Sequence, residues 1–114
     1  MVKRICIALA ALSLVTACSA PNVPLPPAKY QGNHRLVAFT FVDPEDVPTL
    51  CGQGNAEIIA GHVDIACTKK NAVFTEVILP NPFKWPITDI ITWAYIAMHE
   101  LGHANDWPAN HPTS

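Results

Sequence analysis

Charged residues are scarce in this chain of 114 residues, because they make up 14% of it where about a quarter is usual for a soluble domain. Basic residues are the rarer kind, with seven Lys and Arg against nine Asp and Glu. Binding to the phosphates of nucleic acid needs clustered positive charge, and these few residues are scattered. The composition therefore argues against nucleic acid as a partner.

The chain also lacks a run of about 20 apolar residues, the length that a membrane-spanning helix needs. It has no internal repeat and no Cys-x-x-Cys pair of the kind that holds a structural zinc. What is left is one small domain. Such a domain buries little apolar surface and usually gains from a disulfide or a metal.

The first 17 residues have the features of a secretory signal: two basic residues, the apolar run 5–15 and small residues after it. The leader ends in LVTAC (14–18), which resembles the lipobox of bacterial lipoproteins. The resemblance implies cleavage before Cys18 and a lipid on Cys18. Because Ser19 follows, it also implies a lipid anchor in the outer membrane facing the periplasm. Ordinary secretion with an incidental cysteine is the alternative.

Without residues 1–17 the chain keeps five basic and nine acidic side chains, a net charge of −4. Residues 18–33 combine the candidate lipidated cysteine with four prolines and no periodic apolar face, which predicts an extended tether. A disordered tail with no spacing role is the alternative. Residues 34–114 are the predicted domain.

Cys51 and Cys67 remain once Cys6 leaves with the signal and Cys18 is acylated. In an oxidising periplasm we expect these two to form a disulfide. Two free buried thiols or a pair of metal thiolates are the alternatives.

The predicted fold class is α+β, a small antiparallel sheet of about three strands followed by one buried C-terminal helix. Residues 36–42 alternate like a strand, and 63–68 with 72–79 read as a hairpin. The segment 56–60 is ambiguous. We expect 72–79 to be an edge strand that can pair with an extended peptide.

Residues 87–102 form the longest apolar segment after the signal and are predicted to be helical, because Pro86 suits a first turn. Apolar residues cover most of the helix circumference. The remaining stripe contains Thr88, Thr92, Tyr95, His99 and His103. A helix that is apolar nearly all round is a buried one, so this stripe should face a cavity or cleft.

His99-Glu100-Leu101-Gly102-His103 matches the HExxH pattern. Histidines four residues apart lie on one helical face and can bind one zinc, while Glu100 can act on a water activated by the metal. The alternative is a pair of helix-terminal histidines that interact only with the helix dipole and solvent.

A catalytic zinc needs a third protein ligand and an open position. No glutamate follows His103, so the candidates are His111 or Asp106 downstream and His34, His62 or Asp64 upstream. On a continued helix Asp106 would lie about 10 Å along the axis from His99, which is too far. Eight residues span up to about 27 Å, which is ample for His111 to return.

The segment HELGHANDWPANH (99–111) resembles the extended HExxHxxGxxH signature of the metzincins, within the zincin metallopeptidases. The resemblance implies that His99 and His103 bind zinc and that Glu100 is the general base. It implies His111 as third ligand by analogy, since this residue stands two positions later than the family's third histidine. Asp106 stands in place of the family glycine, and no methionine follows.

The sequence thus predicts a zinc-dependent peptidase of the bacterial envelope, anchored by lipid and acting on a peptide or protein substrate. The rival is a non-catalytic, lipid-anchored interaction protein whose zinc is structural or absent. A structural zinc has four protein ligands, whereas a catalytic zinc keeps a water.

Overall fold

The computed structural model describes residues 20–32 and 35–114, so the predicted signal, Cys18 and His34 lie outside the described residues. The strands are β1 (Val37–Val42), β2 (Glu57–Ile59), β3 (His62–Lys70) and β4 (Thr75–Pro80). The helices are α1 (Val47–Cys51) and α2 (Ile90–Ala104), and short 3-10 turns lie at Ala28–Tyr30, Pro44–Asp46, Pro82–Lys84 and Ile87–Asp89. The fold class is α+β, as predicted.

The sheet has four strands in the order β1-β4-β3-β2, so the prediction of about three antiparallel strands was wrong in number and direction. β3 runs antiparallel to both neighbours, as the hairpin predicts, but β1 runs parallel to β4. The chain between β1 and β4 contains α1, β2 and β3, which is long enough for a crossover to a parallel neighbour. The ambiguous segment supplies the fourth strand, β2.

The edge strands of this sheet are β1 and β2. β4, which includes most of the segment predicted as an edge strand, lies between β1 and β3. Both of its sides are occupied by neighbouring strands, and it therefore has no free backbone groups with which to bind an extended peptide.

Helices cover both faces of the sheet. On one face Ala66, Val77 and Leu79 pack with Ile96 of α2. On the other face Ile78 and Cys67 pack with Val47 and Cys51 of α1. The alternation along β4 follows from the two-residue period of a strand, and both helices are needed to keep its side chains from water.

The Cys51–Cys67 disulfide is present and joins α1 to β3. Both cysteines are buried, beside Val47 and Ile78. α1 has only five residues, which is too short for a stable helix by itself. The disulfide therefore attaches a weak element to the centre of the sheet.

α2 is buried along one side, where Ile96, His99 and Glu100 face the rest of the protein. Ile91 and Met98 lie at the surface, 38% and 43% exposed. The helix is therefore covered less completely than its apolar circumference predicts. Among the helices of residues 20–32 and 35–114, none is both long and apolar enough to cross a bilayer.

Residues 20–32, predicted as part of a tether, pack against the C-terminal end of α2. Val23 is buried in the main core, and Asn105 Nδ2 donates hydrogen bonds of 2.9 Å to the carbonyls of Tyr30 and Gly32. Gly102 permits the close approach, because a Cβ there would lie 2.7 Å from the ring of Pro26.

We predict that replacing both Cys51 and Cys67 with alanine lowers the free energy of unfolding by about 3 kcal/mol, the loop-entropy value for a closed loop of this length. Thermal or denaturant unfolding measures the difference. Reductant should destabilise the wild type and leave the double variant unchanged. Equal stability of the wild type and the double variant in the absence of reductant would contradict this role for the bond.

Candidate metal centre

The last two turns of α2 present His99 and His103 on one face. His99 Nδ1 lies 2.7 Å from the Pro24 carbonyl, and His103 Nδ1 lies 2.8 Å from the Trp107 carbonyl. A carbonyl oxygen only accepts, so each Nδ1 carries the hydrogen and donates it. The Nε2 atoms are then the metal-binding nitrogens, and both rings are held in orientation by backbone groups.

The chain reverses immediately after α2 and brings His111 back to the helix. Asp106 adopts a left-handed conformation (φ 73°), its N–H donates to the His103 carbonyl, and the Trp107 N–H donates to the Gly102 carbonyl. These bonds form a Schellman motif, with Asp106 in the position that glycine usually takes. The Trp107 indole N–H then donates to the Pro112 carbonyl and holds the returning segment.

The indole ring of Trp107 packs against all three imidazole rings. It is 3% exposed, its ring stacks on His103, and its edge contacts involve His99 and His111, with all three ring centroids 4.9–5.1 Å away. An indole in this place excludes water from one side of the histidines. It also limits the positions that their rings can take.

The three Nε2 atoms converge. His103 Nε2 lies 3.3 Å from His99 Nε2 and 3.0 Å from His111 Nε2. Nitrogen ligands about 2.05 Å from a tetrahedral zinc are about 3.3 Å from one another. The spacing of these atoms therefore suits one tetrahedral cation.

A fourth donor comes from Glu57 on β2. Its Oε2 lies 3.0 Å from His99 Nε2 and 3.5 Å from His111 Nε2, and its Oε1 lies 3.2 Å from His103 Nε2. One donor atom from each of these four residues lies within 4.8 Å of the others, so the group could hold a metal ion. Glu57 is opposite Ala66 of β3, on the face that packs against α2.

The charge on this group is concentrated on Glu57. Burial opposes its ionisation, but the contacts with the His103 and His99 side chains hold the pKa of Glu57 well below its ordinary value. Burial lowers the pKa of His103, but the interactions with Glu57 and with the Trp107 carbonyl together outweigh it and leave this pKa raised. Burial, with the nearby His99 and His103, lowers the pKa of His111.

Protons alone satisfy these contacts poorly. His103 Nε2 faces His99 Nε2, His111 Nε2 and Glu57 Oε1 at 3.0–3.3 Å, and one hydrogen on it points to only one of the three. A divalent cation at the centre interacts favourably with all four donors at once. The donor set of three imidazoles and one carboxylate therefore fits a metal such as zinc.

Glu100 lies behind this group and is fully buried. Its Oε1 accepts a 2.7 Å hydrogen bond from the Thr68 hydroxyl on β3, while Oε2 has no well-formed hydrogen bond within the described residues. Burial raises the pKa of Glu100 well above its ordinary value, and the neighbouring Glu57 carboxylate raises it further. The two adjacent carboxyl groups thus favour different protonation states: Glu57 the ionised form and Glu100 the protonated form.

The remaining candidate ligands lie elsewhere. Asp106 forms ion pairs with Arg35 and Lys70, which lower its pKa, and the ring of His62 packs 4.9 Å from that of Trp85. Asp64 is absent from the metal-binding group. Of the predicted third ligands within the described residues, the structure brings only His111 to His99 and His103.

Glu57 was not among the predicted ligands, because the upstream candidates were two histidines and an aspartate, His34, His62 and Asp64. One signal was present: Glu57 is the one charged residue within 56–60, a short segment otherwise composed of Ala and Ile. A charge in such a segment is costly unless it has a partner. The identity of that partner depends on β2 pairing with β3 beneath α2.

A cleft of about 450 Å³ opens beside the metal-binding group. Its lining comes from β2, β3 and the C-terminal part of the chain: Asn55, Glu57, Thr68, Lys70, His103, Trp107 and Ala109. Because Glu57 and His103 belong to both, a molecule in this cleft would contact the group directly.

Searches with protein-family models and against curated proteins and solved structures find no match for this chain. The resemblance to zincins therefore rests on residues 99–111.

We predict that zinc stabilises the protein through this group. At free zinc 100 times its Kd, the gain in free energy of unfolding is about 2.7 kcal/mol. His111→Ala should reduce the gain, since it removes one of the four donors, whereas His62→Ala, outside the group, should retain it. Thermal unfolding with zinc and with EDTA measures the gain. An equal gain in all three proteins would place the metal elsewhere.

Proposed function

We propose that the protein is a zinc-dependent peptidase of the bacterial cell envelope. One observation carries this proposal: the Nε2 atoms of His99, His103 and His111 converge at the carboxylate of Glu57, which neighbours the buried carboxyl group of Glu100 and lines an open cleft. Three imidazole ligands with a neighbouring acid-base carboxyl group are the components that metal-assisted hydrolysis needs.

In this proposal His99, His103 and His111 hold the zinc. Zinc, when bound, polarises the scissile carbonyl and lowers the pKa of a water molecule. Glu100 takes a proton from the attacking water and passes it to the nitrogen of the leaving amine, so that the carboxyl group ends in its starting state. Thr68 positions Glu100 through the hydrogen bond to Oε1.

The surroundings of Glu100 suit this work. Burial raises its pKa, which makes its carboxylate a stronger base than a solvated one. The positive charge of a nearby cation opposes that rise and favours the ionised form that accepts the proton. Trp107 shields the other side of the histidines from water, so their interactions act in a medium of low dielectric.

The cleft gives a peptide a place to bind. Asn55 and Lys70 supply polar groups along its lining, and Ala109 leaves room at the C-terminal side. β2, an edge of the sheet, lies at the same cleft through Glu57. An extended peptide could pair with this edge, which takes the place that the sequence analysis assigned to 72–79.

Glu57 supports a second candidate function. With its carboxylate among the three imidazoles, the group has four protein donors, the number typical of a structural zinc. A zinc bound in this way would hold β2 and the C-terminal segment to α2. The protein would then be a non-catalytic, lipid-anchored interaction protein.

Glu100→Gln separates the two candidates. We predict that this variant retains stoichiometric zinc and loses at least about 100-fold in peptide hydrolysis, because it cannot accept a proton. Zinc content and cleavage of a broad peptide library are the measurements. Glu76→Gln is the control, since Glu76 bonds Thr40 on the neighbouring strand. Zinc-loaded wild type that cleaves no peptide would favour the structural role.

The location is part of the proposal and rests on the LVTAC sequence at 14–18. Lipid on Cys18 would anchor the protein in the outer membrane, facing the periplasm. We predict that radiolabelled palmitate enters the wild-type protein and not Cys18→Ala. Labelling of both proteins to the same extent, or of neither, would refute the anchor.

A further inference from the structure

Glu57 lies where the histidine group meets the cleft, which His103 also lines. Its carboxylate contacts the Nε2 atoms of all three histidines, and the same side chain lines the cleft. His99 is 1% exposed and is not part of the cleft lining. We propose that Glu57 is an internal blocking ligand, which completes the ligand set of the resting protein and closes the metal site to molecules in the cleft. This inference rests on the metal site of the proposed function.

Charge favours Glu57 as a ligand. Three neutral imidazoles leave both charges of a divalent cation in place, whereas a carboxylate neutralises one of them. Glu57 is only 25% exposed, so its charge is screened little by water. Ligand atoms about 2.0–2.2 Å from one tetrahedral zinc lie about 3.3–3.6 Å from one another. The Glu57 oxygen lies 3.0–3.5 Å from the nitrogens, so it needs only a small movement to become a ligand.

The position of Glu57 also lets it block the open coordination position of the metal. A catalytic zinc keeps one coordination position for water or substrate. The three histidines come from α2 and the segment after it, with Trp107 behind them. Glu57 comes from the opposite side, from the sheet, and lines the cleft together with His103. A substrate that takes the fourth coordination position must therefore displace this carboxylate.

The strand that holds Glu57 is anchored in the main core by Ile59, but its pairing in the sheet is short. β2 has three residues, lies at an edge of the sheet, and has a register irregularity between Glu57 and Ile59. The turn after it places Ala60 (φ 51°) and Gly61 (φ 81°) in left-handed conformations. Few ladder hydrogen bonds would break if β2 shifted, and a released carboxylate would be hydrated in the open cleft. Movement of the Glu57 side chain, with Ile59 kept in the core, would therefore open the block.

Cobalt titration of the full chain tests the ligand, because Co²⁺ takes similar ligands and its visible spectrum reports coordination. We expect Glu57→Ala and Glu57→Gln to weaken Co²⁺ binding by at least about tenfold, as loss of a charged donor should. Glu76→Gln should bind as the wild type does. Unchanged affinity in both Glu57 variants would overturn the proposal. Glu57→Gln keeps the side-chain volume and so serves where Glu57→Ala fails to fold.

Azide, a small anion that binds to open metal positions, tests the block. Added to the Co²⁺ proteins, it should change the visible spectrum of Glu57→Ala at a concentration that leaves the wild type unchanged. An equal azide response in the two proteins would show that the wild-type position is already open, and would overturn the proposal.

Peptide hydrolysis separates this inference from the peptidase proposal. Weaker metal binding and a new azide response in Glu57→Ala, without hydrolysis by any variant, would support the block and refute the peptidase. Hydrolysis by the wild type, with equal azide responses, would support the peptidase and refute the block. If both proposals hold, Glu57→Ala at saturating zinc should cleave a short peptide several-fold faster than the wild type.

Discussion

Three imidazole nitrogens and a carboxylate oxygen lie within 4.8 Å of one another, a group that could hold a metal ion and that positive charge at its centre would stabilise. The hydrogens on the Nδ1 atoms of His99 and His103 are committed to backbone carbonyls, so the lone pairs of the Nε2 atoms face one another. A proton on His103 satisfies its contact with Glu57, in keeping with the raised pKa of His103, while a divalent cation would interact favourably with all four donors. The surrounding fold holds these donors together against their mutual repulsion.

Each part of the fold contributes to that restraint. The segment 20–32 supplies the Pro24 carbonyl and is held to α2 by Asn105, and the Schellman motif after α2 returns His111 to the helix. β3 supplies Thr68 to Glu100 and pairs with β2, which brings Glu57. On the opposite face, the disulfide attaches α1 to β3. β2 is the exception, because it is short and at an edge, and it is there that the site meets the cleft.

Local patterns predicted much of this. Alternation identified β1 and the β3–β4 hairpin, length and Pro86 indicated a helix close to α2, and Cys51 and Cys67 indicated their disulfide. The HExxH spacing placed His99 and His103 on one helical face. The sequence did not predict β2, because three residues carry too little periodicity. It did not predict the parallel pairing of β1 with β4, because these strands are more than thirty residues apart. Glu57 was not predicted as a ligand either, since its partner His99 lies 42 residues along the chain.

The sequence by itself determined the α+β class, the helix with its histidine pair and Glu100, and the cysteine pair. These depend on neighbours a few residues apart or on the chemistry of single side chains. Tertiary structure alone decided which donors join the pair, because sheet order puts Glu57 opposite Ala66 and the turn at Asp106 aims His111. It also decided that Glu57 faces the cleft. The distances between these side chains depend on pairing and packing of segments far apart in the chain, and a local sequence pattern does not contain that information.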